Sequence, residues 1–92
     1  MLLQTRPAIK SLEHAIAERL AVIVHYRPSG GGQTTMKVEP HGIRYNRAHH
    51  LVCWCWSRVH DHELELLLSR VDEVHVTGDR FSPPAPHHAR HL

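Results

Sequence analysis

Six consecutive apolar residues, Leu51, Val52, Cys53, Trp54, Cys55 and Trp56, constrain this chain more than any other stretch. On an extended strand Leu51, Cys53 and Cys55 point to one face and Val52, Trp54 and Trp56 to the other, so both faces need at least partial cover. A chain of 92 residues holds one small domain and no second core. With 41% hydrophobic and 22% charged residues it has a globular composition, not that of a disordered tail. No apolar stretch approaches the roughly 18 residues of a membrane span, and residues 1–7 lack the pattern of a secretion signal. The two cysteines lie in one strand, which excludes a disulfide framework. The expectation is a reduced, cytoplasmic protein with no membrane partner.

Along the chain, Ile9, Leu12, Ala15, Ile16 and Leu20 recur at spacings of three and four, which predicts one short amphipathic helix. Either Pro7 occupies its first turn or Ser11 caps a later start. Val22, Ile23 and Val24 then switch to β-branched residues, and the turn-rich residues 28–33, with Gly30, Gly31 and Gly32, stop that strand. Residues 34–39 carry β formers. Pro40, His41 and Gly42 read as a bend before a second extended piece at residues 43–46. Residues 58–63 are polar and turn-like, and residues 64–68 and 71–77 supply further strands. Residues 83–92 hold three prolines and no apolar period, so residues 8–84 are expected to form the domain and residues 85–92 a flexible tail.

Short strands without long crossovers imply an antiparallel meander. The expected fold is therefore mainly β with one N-terminal helix: a small antiparallel Sm-like or SH3-like β-barrel of about five strands, lidded by the helix. Val22, Val24, Leu51, Cys53, Leu66, Leu68 and Val76 are the expected core.

Several pieces, in order, are similar to the WYL domain, a small barrel often attached to bacterial helix-turn-helix regulators. They are Ala15-Ile16, His25-Tyr26-Arg27, Lys37-Val38-Glu39-Pro40-His41-Gly42-Ile43, Leu51-Val52-Cys53-Trp54-Cys55, Ser69-Arg70-Val71 and Phe81-Ser82-Pro83-Pro84. The resemblance spans roughly residues 12–84. His49-His50-Leu51 stands where the family has Trp-Tyr-Leu, and Leu64-Glu65-Leu66 where it has Arg-x-Phe. The resemblance implies a non-enzymatic regulatory or ligand-sensing domain of a transcriptional regulator that binds single-stranded nucleic acid or a nucleotide. The alternative is a protein-interaction or oligomerisation module whose ligand site has decayed. A homo-oligomer or a helix-turn-helix partner domain is the expected assembly, because unpaired sheet edges and an outward leucine in Leu66-Leu67-Leu68 call for cover and 92 residues leave no room for the DNA-binding unit as well.

The formal charge of +2 is too small to argue for nucleic acid alone, but eleven histidines make the chain more cationic in mild acid. Arg27, Lys37, Arg44, Arg47, Arg58 and Arg70 are interleaved with Tyr26, Tyr45, Trp54 and Trp56. Such a surface holds phosphates on its cations while bases stack on its rings. The plainer reading puts both tryptophans in the core and leaves the arginines as solvated charges. The expected ligand face is Tyr26, Arg27, Lys37, His41, Arg44 and Arg70, with His49 and His50 at its margin. Arg47 through His50 also fits a simple polar turn.

For a structural metal, Cys53-x-Cys55, His60-x-His62 and His87-His88-x-x-His91 all lack the wider spacing with which zinc ligands wrap an ion, so no metal or other cofactor is expected. The cysteines fit the core. No nucleophile elbow, phosphate loop or His-Glu-x-x-His segment is present, and His60-Asp61-His62-Glu63 has no evident nucleophile beside it, so an enzyme is not expected.

Overall fold

The computed structural model describes residues 2–82, with side chains from Pro7 onward. The sequence's tail, residues 85–92, and the domain boundary at residue 84 lie outside the described residues. The elements are helix α1 (Leu2–Glu18), strands β1 (Leu20–Tyr26), β2 (Thr34–Tyr45), β3 (Leu51–Ser57) and β4 (His62–Leu67), a single 3-10 turn (Leu68–Arg70), and strand β5 (Val71–Arg80). The five strands form one antiparallel sheet in the order β4-β3-β2-β1-β5.

That order bends the sheet. β4 and β5 occupy opposite edges, yet only the three residues of the 3-10 turn join them. Across a flat sheet the edges would lie about 19 Å apart, at roughly 4.8 Å per strand spacing. Three intervening residues make four Cα–Cα steps, which reach only about 14 Å even when fully extended. The sheet therefore curls until the end of β4 meets the start of β5. Among the contacts that fasten the junction, the Tyr26 hydroxyl accepts the Leu67 amide proton at 3.1 Å, and the Arg27 amide donates to the Arg70 carbonyl at 2.9 Å. The expected fold class is present as a mainly β domain with an N-terminal helix, but the sheet is not closed into a barrel, because no ladder joins β4 to β5.

The concave face carries the core. Leu12, Val22, Val24, Val38, Cys53, Cys55, Leu66, Leu68 and Val71 are buried in one cluster, and α1 lays Ala8, Leu12 and Ala15 onto it. These positions, four and three apart, share one helix face. Of the expected core, Leu51 is half-buried and Val76 is exposed at 37%. Val76 lies on edge strand β5, so although it pairs with Val22 it has a neighbouring strand on one side only. The thiols of Cys53 and Cys55 are free and buried. A hydrogen bond to Cys53, then burial, push the Cys55 thiol far above its ordinary value, so it remains protonated.

Three local features differ from the sequence expectation. Helix α1 begins at Leu2 and runs through Pro7, which forfeits one backbone hydrogen bond near the helix end. It stops at Glu18, where Arg19 adopts a left-handed φ of 58° and Arg80 caps the Glu18 carbonyl at 3.1 Å. Pro40, His41 and Gly42 do not end a strand. They form a bulge inside one continuous β2, with Pro40 opposite Cys55 and Gly42 opposite Trp54. A proline in this interior strand is tolerated because the bulge already interrupts the ladder. The glycine turn matches expectation, and Gly31 and Gly32 have the positive φ values (94° and 78°) that favour glycine.

Replacing Tyr26 by Phe keeps the ring in place but leaves the Leu67 amide without its acceptor. The expected loss is about 1–2 kcal/mol, read as a lower urea midpoint with unchanged slope. Faster amide exchange at Leu67 should accompany it.

Candidate ligand-binding face

The bulge decides which cations face solvent. Counted in unbroken register from Pro40 opposite Cys55, Arg44 would sit opposite Leu51, on the core face. The extra residue, His41, shifts the count so that Ile43 pairs with Cys53 and Arg44 with Val52. A shift of one residue exchanges the two faces. Ile43 thus packs against the core and Arg44 points outward. Its guanidinium lies over the Trp54 ring, 4.3 Å from the centroid.

Arg44 and Trp54 are shared by two adjoining cavities. One, of about 240 Å³, is lined by His41, Gly42, Ile43, Arg44, Trp54 and Glu63. The other, of about 630 Å³, adds Tyr45, Arg47 and the β2–β3 turn, with Glu65 on its rim. Tyr45 is 68% exposed, the state a stacking platform needs. Trp54 is half-buried, and its Nε1 is buried without a hydrogen-bond partner among the described residues. The His41 ring leans on Phe81, with centroids 5.6 Å apart. Neither tryptophan lies in the central core cluster. Both are on the outer face, half-covered by neighbours.

The eight residues expected at the site fall into separate groups. Tyr26, Arg27 and Arg70 gather at the β4–β5 junction. There Arg27 binds Asp72 at 2.8 Å and the Ser69 carbonyl at 2.9 Å, and Arg70 donates to the Arg27 carbonyl at 3.2 Å. Lys37 is ion-paired with Asp79, which also lies 3.8 Å from Arg58, itself bound to Glu39 at 2.8 Å. These cations hold the sheet's own carboxylates. His41 and Arg44 line the cavity beside Trp54. His49 and His50 are exposed in the β2–β3 turn, where the Asn46 side chain accepts the Ala48 and His50 amides at 2.9 and 3.0 Å and His49 takes φ 65°. Trp54, Tyr45 and Arg47 complete the Arg44 cluster. Their residue types were legible in the sequence, but their grouping depends on the bulge, which only the pairing register reveals.

The family model described as WYL domain matches residues 7–76, and the chain belongs to that family. A solved structure of the proteasome accessory factor B/C (PafBC) of Arthrobacter aurescens superposes with a TM-score of 0.75 at 18% identity, over 85% of this chain. At that identity the likeness establishes the fold. This chain corresponds to 12% of the PafBC chain. The search of curated proteins found no match.

The ion pairs predict an acid limb in stability. Hydrogen bonds from Arg27 and then Gln33 hold the Asp72 carboxyl below its ordinary range, and Lys37, through a hydrogen bond and its charge, does the same for Asp79. A depressed folded-state value stabilises the fold above the unfolded value, near 3.9, and that stability is lost as pH falls through the folded one. In urea titrations between about pH 5 and pH 2, the parent should therefore lose stability more steeply than Asp72→Asn or Asp79→Asn.

Proposed function

We propose that this WYL domain is a non-enzymatic regulatory module of a bacterial transcriptional regulator that senses a single-stranded nucleic acid or a nucleotide. The carrying observation is the Arg44 guanidinium stacked on Trp54, with exposed Tyr45 and Arg47 along the same open cavity. Phosphate engages Arg44 and Arg47, while a base stacks against Tyr45 or slides along the Trp54 edge. His41 supplies a polar wall at the neighbouring cavity. The centre of recognition accordingly lies at Arg44, and Arg27, Lys37 and Arg70 support the sheet that presents it.

One observation favours the second reading, a protein-interaction module whose ligand site has decayed. Glu63 and Glu65 rim the same cavities and set negative charge against a phosphate. Under that reading the face receives a basic or neutral protein surface instead.

Titration of the full chain with short single-stranded oligonucleotides at two salt concentrations separates the two. Nucleic-acid sensing predicts binding that weakens with salt, because phosphate contacts release counterions. Arg44→Ala should weaken binding about tenfold and by a similar factor for all sequences, since a phosphate contact carries no base information. Tyr45→Ala should reduce the part of affinity that persists at high salt. Lys37→Ala should change binding less than Arg44→Ala. Absence of salt-dependent binding, or equal binding by the parent and Arg44→Ala, rejects the sensor reading in favour of the interaction module.

A further inference from the structure

The sheet brings together three metal-ligating side chains that lie far apart in sequence. His25 is on β1, and Glu73 and His75 are on β5, where Glu73 stands directly opposite His25 in the antiparallel register. Glu73 and His75, two residues apart, share the outer face. One donor atom from each of the three lies within 4.8 Å of the others. The two imidazoles meet edge to face at 5.4 Å between centroids, and His75 Nε2 is 3.7 Å from Glu73 Oε1.

We infer that His25, Glu73 and His75 form a surface site for a divalent transition-metal ion of the zinc class. Two imidazoles and one carboxylate are a donor set that suits zinc, and three protein ligands leave a further position for water or an incoming group. Donor atoms around tetrahedral zinc lie roughly 3.4 Å apart, given metal–ligand lengths near 2.1 Å. Rotations of the exposed Glu73 and His75 side chains close the remaining gap. His25 is held less freely: its Nδ1 is 3.4 Å from Thr35 Oγ1. An imidazole that donates its Nδ1 proton to that hydroxyl keeps Nε2 as the lone-pair nitrogen, the arrangement that orients a metal-binding histidine. The carboxylate offsets half of the ion's charge. Coordination ties edge strand β5 to β1 and leaves an open metal position on the outer face. The site uses none of the residues of the Arg44–Trp54 face, so the two assignments stand independently.

The full chain also contains His60, His62, His87, His88 and His91, which are alternative ligands and must be separated from the proposed site. Zn²⁺ is titrated by calorimetry into the parent, His25→Ala, His75→Ala, Glu73→Gln, His60→Ala and the triple variant His87→Ala/His88→Ala/His91→Ala. Co²⁺ absorption in the visible range follows coordination in parallel, and circular dichroism confirms that each variant is folded. The expected result is a Zn²⁺ event retained by the His60 and tail variants. It should weaken by about tenfold or more in His25→Ala and His75→Ala, and measurably in Glu73→Gln. Should any substitution unfold the chain, His75→Gln supplies the same loss of a ligand with closer shape. Unchanged Zn²⁺ affinity in folded His25 and His75 variants, or loss of binding in the tail or His60 variant alone, overturns the assignment.

Discussion

Three residues joining opposite edges of a five-stranded sheet are the constraint from which the rest of this structure follows. The chain cannot pass from β4 to β5 unless the sheet curls, and the curl creates a concave face small enough for one helix to cover. Tyr26 sits at the junction with its ring against the core and its hydroxyl on the Leu67 amide. Arg27 and Arg70 exchange hydrogen bonds with each other's backbone at the same place. Hydrophobic burial and backbone pairing thus act on the same few residues, and an open sheet keeps a fixed curvature without closing its ladder.

Strand alternation divides the side chains into two populations. Inside, Val22, Val24, Val38, Cys53 and Cys55 pack with Leu66 and Leu68 under Leu12 and Ala15 of α1. Outside are the larger and more polar groups, among them Trp54, Trp56, Arg44, His25 and His75. On that outer face Lys37 and Arg58 share Asp79 and Arg58 also binds Glu39, while at the β4–β5 junction Arg27 holds Asp72. A cation already paired to the sheet's own carboxylates has part of its charge and donor capacity committed there. Arg44 faces a ring instead, and its guanidinium edge remains available to an external anion.

The bulge at His41 is the second decision in the fold. It changes the register by one residue, turns Ile43 inward and Arg44 outward, and places Gly42 beside Trp54. Pro40 marks the location because it has no amide proton to contribute to the ladder. The same residues that interrupt regular pairing therefore expose the principal cation of the candidate face and open the cavity next to it.

The mainly β class, the amphipathic helix, the glycine turn and the inward cysteines were legible in the sequence, because alternation and helical spacing are local patterns set by covalent geometry. The pieces resembling the WYL domain were legible for the same reason, being short and contiguous, and the family match over residues 7–76 agrees with them. The sequence also displayed the candidate cations, but not their use. Whether Lys37 meets Asp79, whether Arg44 stacks on Trp54 or enters the core, and whether His25 meets Glu73 and His75 depend on pairing between strands distant in the chain. Register, bulge and edge position determine these neighbours. They are set by closing loops and burying one face of a whole sheet, a balance that no single segment contains.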